Sequence, residues 1–276
     1  MKNLKASSHR AIYSEYEFKT ANDGRTYLMP SPTAEISLIY PLEDGETMVL
    51  DALNVGMLDI KEVGEDALKE AVKGFVSKYG LLGFMTALPT TPRFTDYDTV
   101  YLPKNHFIRA ESMERMPYID QFFPFEKLRF QIGKNGKLAW DFHDKRMILA
   151  QQMSFQRQYA ERFDWLAKQF KDWATIFSAT HIYYNYEDMK ENPVLYKMGV
   201  AAFGGVSPTY RIELLDKPTM VWDFHSLLIA IQMTFSFLLT SDKYPFRLCL
   251  DCGKVFRSNR KDVFYCRRCK NQLCEQ

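Results

Sequence analysis

The chain has 276 residues, 46% hydrophobic, 15% aromatic and 25% charged, with a formal net charge of +2. That length buries a sizeable core, as one large or two modest domains, without covalent staples. The composition excludes a collagen-like or disordered chain, and five cysteines confined to the last 28 residues exclude a disulfide-stapled scaffold.

The first eight residues hold no apolar signal-peptide core, which implies a cytoplasmic protein with reduced thiols. Residues 13–20, 25–29, 35–40 and 48–50 are rich in β-branched and aromatic side chains and read as strands. Asn22-Asp23-Gly24 is a hairpin turn signal between the first two. Residues 65–88 read as a helix with Leu68, Val72, Phe75 and Val76 on one face and a break at Gly80 or Gly83. Pro89 and Pro92 open a loop, and the aromatics of 118–125 suit a core. Residues 129–132 and 137–142 form a second hairpin around Lys134-Asn135-Gly136.

The longest helix follows. Phe155, Tyr159, Phe163, Leu166, Phe170, Trp173 and Phe177 recur at helical spacing, with Arg157, Glu161, Lys168 and Lys171 assigned to the solvent face. Trp140-Asp141-Phe142-His143 returns as Trp222-Asp223-Phe224-His225, each copy ending a hairpin and opening a helix. Two readings account for the echo, an old duplication of a hairpin-plus-helix unit or coincidence in an aromatic-rich sequence, and the duplication is preferred. In each copy the Asp reads as a helix start signal. His143 and His225 read as structural residues of those junctions. Residues 224–241 are uncharged, but they include Gln232 and several hydroxyls and are flanked by Asp223 and Asp242. That pattern indicates a buried helix and no membrane partner. The sequence contains no P-loop, dinucleotide fingerprint, nucleophile elbow or His-Glu-x-x-His, and so gives no sign of an enzyme.

The end of the chain is different in kind. Cys249-x-x-Cys252 and Cys266-x-x-Cys269 are separated by 13 residues. Two such pairs place four thiolates around one ion, and a full sulfur set leaves no position for water. The cofactor expected is one structural Zn2+ held by Cys249, Cys252, Cys266 and Cys269. Gly253 follows the first pair, where a positive φ is expected. Cys274 fits neither pair and stays outside the site. A hairpin of 254–257 with 263–265, turning at Ser258-Asn259, is expected between the pairs. From residue 246 onward there are eight Lys/Arg and three Asp/Glu, against 28 and 31 in the remainder. This concentration of positive charge suits a module facing a polyanion, with Arg257, Arg260, Lys261, Arg267, Arg268 and Lys270 as candidate nucleic-acid contacts.

The resulting fold class is α+β. A mixed strand and helix domain of residues 1–245 carries a long amphipathic helix, and residues 246–276 form a small four-cysteine treble-clef or zinc-ribbon module. An apolar helix, then Cys249-x-x-Cys252-Gly253-x-x-Phe256, a basic turn at Arg257, Arg260 and Lys261, then Tyr265, Cys266 and Cys269, resembles the CGNR-type treble-clef finger of presumed bacterial transcription regulators. Of that family's Cys-Gly-Asn-Arg, Cys269 and Asn271 are present. Residues 79–89 resemble Firmicute-like proteins of unknown function that end in the same finger. The resemblance implies a regulator or defence-type protein with DNA or RNA as partner. The alternative is a protein- or ligand-interaction protein whose zinc module is purely structural.

Overall fold

The computed structural model describes residues 6–7, 12–38, 44–84, 120–125, 130–132, 138–140, 157–185, 194, 209–214, 216–224, 226–241, 245–260 and 262–274. Helices and strands are mixed, as an α+β class requires. In chain order the strands are β1 (Ala6–Ser7), β2 (Ile12–Tyr13), β3 (Tyr16–Thr20), β4 (Thr26–Pro30), β5 (Ile36–Leu38), β6 (Phe130–Ile132), β7 (Leu138–Trp140), β8 (Glu161–Arg162), β9 (Thr209–Leu214), β10 (Pro218–Asp223), β11 (Phe246–Leu248) and β12 (Val255–Arg257). The helices are α1 (Gly45–Gly56), α2 (Ile60–Val63), α3 (Glu65–Tyr79), α4 (Phe163–Asn185), α5 (Leu227–Leu239) and α6 (Arg267–Cys274). Two compact units share these elements: Met1–Glu43, Val76–Trp165 and Gly205–Ala230 form one, and Asp44–Phe75, Leu166–Gly204 and Ile231–Gln276 form the other.

The first unit is built from small sheets. β3 and β4 form the hairpin expected at Asn22-Asp23-Gly24, with Gly24 at φ 76. Asp23 fixes the turn: its carboxylate accepts from the Arg25 N–H at 2.9 Å and from the Tyr27 hydroxyl at 3.1 Å. β8 extends this sheet in the order β3-β4-β8, and β9 and β10 form a second hairpin with β1 parallel to β10. β2 pairs β5, and β6 pairs β7 antiparallel as expected of the second hairpin, whose turn at Lys134-Asn135-Gly136 lies outside the described residues. Tyr16, Tyr27, Phe84, Phe122 and Tyr159 are buried, and Phe122 stacks on Tyr159 with ring centroids 5.7 Å apart.

The sharpest departure from the sequence reading is Glu161. The long helix begins at Phe163, because Glu161 and Arg162 pair with Leu28 and Tyr27 of β4 as a short strand. Glu161 therefore turns inward and is fully buried, not solvent-facing. Its carboxylate accepts three successive backbone N–H groups, from Leu82 (2.9 Å), Gly83 (2.5 Å) and Phe84 (3.1 Å), and the Tyr159 hydroxyl at 2.7 Å. Burial raises its pKa, and the Tyr159 hydroxyl and the three N–H groups oppose that rise. A loop without regular structure thus has its backbone donors satisfied by one side chain.

In the second unit α1 occupies the text read as a strand at 48–50. Asp44 caps it, accepting from the Thr47 N–H at 3.0 Å, and Met48, Val49, Ala52 and Leu53 lie buried at helical spacing. Cap and period together override a three-residue β-rich text. α1 lies close against α4: a Cβ on Gly56 would stand 1.9 Å from the Phe170 carbonyl oxygen, so only glycine fits there. α3 buries Leu68, Val72, Phe75 and Val76 as its periodicity indicates and stops at Gly80, φ 90. The α4 stripe of Phe163, Leu166, Phe170, Trp173 and Phe177 is core, while Lys168 is exposed and pairs with Asp172 at 2.7 Å. α5 is capped by Ser226, whose Oγ accepts from the Ile229 N–H at 3.2 Å, and not by Asp223, which ends β10. Its 13 residues are largely buried, and no helix among the described residues is long and apolar enough to cross a membrane. The first copy of the Trp-Asp-Phe-His echo beyond Trp140, together with His143 and His225, lies outside the described residues.

Candidate metal centre

The C-terminal module grows from one short hairpin. β11 and β12 pair antiparallel, with Phe246 opposite Arg257, Arg247 opposite Phe256 and Leu248 opposite Val255. The first cysteine pair occupies the turn between them. The Cys249 N–H donates to the Lys254 carbonyl at 2.9 Å, and the Gly253 N–H donates to the Cys249 carbonyl at 3.0 Å. Gly253 has φ 65, the left-handed value that closes such a turn, although a Cβ there would meet nothing within 4 Å. Its requirement is conformational, not steric crowding. Partnership of β12 with β11 replaces the hairpin expected with 263–265. The knuckle turn itself brings β11 and β12 face to face, whereas 262–266 is not strand and returns through a backbone bond from the Leu250 N–H to the Phe264 carbonyl, 3.0 Å.

The second pair straddles the start of α6. Cys266 precedes the helix and Cys269 lies in its first turn, with the Lys270 N–H donating to the Cys266 carbonyl at 2.9 Å. Helical spacing sets Cys266 and Cys269 on one face. All four sulfurs lie within 4.8 Å of one another. The Cys252 to Cys266 separation is 3.8 Å and the Cys266 to Cys269 separation 3.5 Å. A tetrahedral ion with metal–sulfur bonds of about 2.3 Å has edges of about 3.8 Å. The cluster therefore fits one metal ion, and separations this long exclude a disulfide between these pairs.

The protons of the cluster tell the same story. Burial pushes the Cys249 thiol up, but N–H groups of Cys252, Cys266 and Asp251 outweigh it and bring the pKa down to about 6. The Cys266 N–H lies 3.4 Å from the Cys249 sulfur. Burial raises Cys252, and a hydrogen bond with Asp251 followed by burial raises Cys269. Four sulfurs at this distance cannot all carry charge unless a cation replaces their protons. Cys249 and Cys269 are buried, Cys252 is exposed and Cys266 half-buried, so one side of the site meets solvent.

Neither cysteine spacing nor charge reveals what holds the module in place. Asn54 of α1 acts as an extra strand residue along β12. Its Nδ2 donates to the Val255 carbonyl at 3.0 Å, and its Oδ1 accepts from the Val255 N–H at 2.9 Å. A second Nδ2 proton reaches the Leu50 carbonyl of its own helix at 3.1 Å. Phe246 and Val255 are buried, and Arg257 pairs with Glu46 at 2.6 Å. An edge strand that would otherwise present open backbone groups is closed by one carboxamide.

This docking sorts the candidate cations. Arg257 is engaged by Glu46, and Arg260 by Asp262 at 2.5 Å. Lys261 lies outside the described residues, as does the side chain of Cys274 at the end of α6. Arg267, Arg268 and Lys270 are brought together at the start of α6, exposed and without an ion-pair partner among the described residues. Phe264 and Tyr265, which precede them in the chain, and Leu250, bonded through its N–H to the Phe264 carbonyl, are exposed by 54%, 39% and 59%, although they are large apolar groups. No protein-family model matches the chain, and no curated protein or solved structure matches it either.

Proposed function

We propose that this chain is a cytoplasmic zinc-finger protein, akin to the CGNR-type fingers. Its four cysteines hold one structural Zn2+, and its module contacts DNA or RNA in a regulatory or defence role. The sulfur separations of 3.5 and 3.8 Å carry the metal half of the reading. They match one tetrahedral ion, and a multi-iron cluster, which spreads its cysteines over more than one iron, needs some of them wider apart than the 4.8 Å within which all four sulfurs lie. Four sulfur ligands leave no open position, so the ion shapes the module and performs no chemistry.

Arg267, Arg268 and Lys270 support the nucleic-acid half, because exposed cations with no carboxylate partner among the described residues are available to phosphates. Each phosphate neutralised steepens the log–log salt dependence by about 0.7 to 0.9. Elemental analysis of the purified chain should give one zinc per chain. Titration with DNA and RNA between 50 and 200 mM salt should give a slope of roughly −2 to −3 if these three cations act. A response independent of salt would favour the second reading, an interaction protein in which the zinc is only a scaffold. The bonds from Asn54 and Glu46 support that alternative, since they make the module part of the unit that contains α1.

A further inference from the structure

We propose that the module binds single-stranded nucleic acid, with bases stacked on Phe264 and Tyr265 and the adjoining phosphates held by Arg267, Arg268 and Lys270. This rests on the nucleic-acid reading above and names the form of the ligand. The rings are the unexplained feature. Phe246 and Val255 are buried within a few residues of the cluster, yet Phe264 and Tyr265 remain 54% and 39% exposed. They are also held still at the backbone. The Phe264 carbonyl is bonded to the Leu250 N–H, and Tyr265 adjoins Cys266, whose N–H reaches the Cys249 sulfur. Rings fixed on a metal-braced loop lose little freedom when a ligand stacks on them.

Charge selects the occupant. Phe264-Tyr265-Cys266-Arg267-Arg268-Cys269-Lys270 sets two rings directly ahead of three cations within seven residues. Of the module's two described acids, Asp262 is paired with Arg260. Arg267, Arg268 and Lys270 are exposed within a few residues of the rings, and the ligand that would use both is an anion with flat apolar faces. A duplex hides its base faces in its own stack, whereas a single strand offers them to aromatic side chains and tracks a basic surface with its phosphates. An apolar protein surface would use the rings but leave three cations without partners.

The test uses the zinc-loaded full chain and a labelled 12-nucleotide RNA, the same DNA single strand, and the blunt DNA duplex, read by fluorescence anisotropy at 50 to 200 mM salt. Single strands should bind more tightly than the duplex. Phe264→Ala, Phe264→Leu and Tyr265→Ala should each lose about tenfold for single strands. Phe264→Trp should keep the affinity and show indole quenching on binding beyond that of the wild type. Arg267→Gln should lower the salt slope by about 0.7. Zinc content of every variant checks that the module is intact, and the quenching signal remains a test even if an alanine variant loses metal. Binding that favours duplex, or that Phe264→Leu leaves unchanged, overturns this inference while keeping phosphate contact by the finger. Absence of binding to all three oligonucleotides at 50 mM salt overturns both.

Discussion

Two loops in this molecule are held by converging polar groups in place of regular structure, and they solve the problem in opposite ways. At residues 82–84 the backbone supplies three N–H donors, and the buried Glu161 carboxylate accepts them all. In the last thirty residues four cysteine sulfurs converge within 4.8 Å of one another, an arrangement that could hold one metal ion. The first loop is complete when the chain is folded, whereas the second waits on its surroundings. A carboxylate that meets backbone donors needs no outside partner, whereas four thiols gathered this closely gain little until metal replaces their protons.

The largest effect should come from the metal. Structural zinc contributes on the order of 10 kcal/mol to small modules, so a strong chelator, or Cys252→Ser with Cys266→Ser, should open residues 246–274 to limited proteolysis. Hydrogen exchange at the Leu82, Gly83 and Phe84 amides should stay protected in the same sample. Glu161→Gln is the mirror experiment. The amide turns a donor toward a backbone donor, leaving at least one buried N–H unsatisfied at about 1–3 kcal/mol. Exchange should rise at those three amides while one zinc per chain is retained. Loss of protection at both loops in either experiment would break the contrast.

Asn54→Leu should follow with a cost of about 1–3 kcal/mol, since it strips both partners from the Val255 backbone. Faster exchange of the Val255 amide at unchanged zinc content would separate docking from metal binding. The smallest effect concerns pH. Burial, with Arg247 adding to it, holds the His181 pKa below its usual value. The unfolded chain then binds more protons near pH 6.5, so stability falls as pH drops through that value. His181→Gln should flatten the decline below pH 7 in denaturant titrations, by less than the metal and Glu161 effects.

Legibility followed the range of the interaction. Two Cys-x-x-Cys pairs, Asn22-Asp23-Gly24, Gly80 and the faces of α3 and α4 are readable because spacing of a few residues encodes them. Residues 48–50 are helix and not strand because Asp44, four residues upstream, caps a helix that runs through them. Glu161 reads as solvent-facing from the helical stripe because the stripe's spacing continues upstream of Phe163, where the helix itself begins. No local pattern announces either Glu161 with residues 82–84, 77 to 79 positions apart, or Asn54 with Val255, 201 apart.

The sequence by itself determined the cysteine set, the α+β class, the Asn22-Asp23-Gly24 turn and the buried faces of the main helices, all matters of periodicity or local backbone preference. Only the tertiary structure decided where the finger is moored, which carboxylate is sealed in the core, and which cations and rings stay exposed. Those outcomes depend on which distant groups meet, and a side chain's environment is set by its neighbours in space.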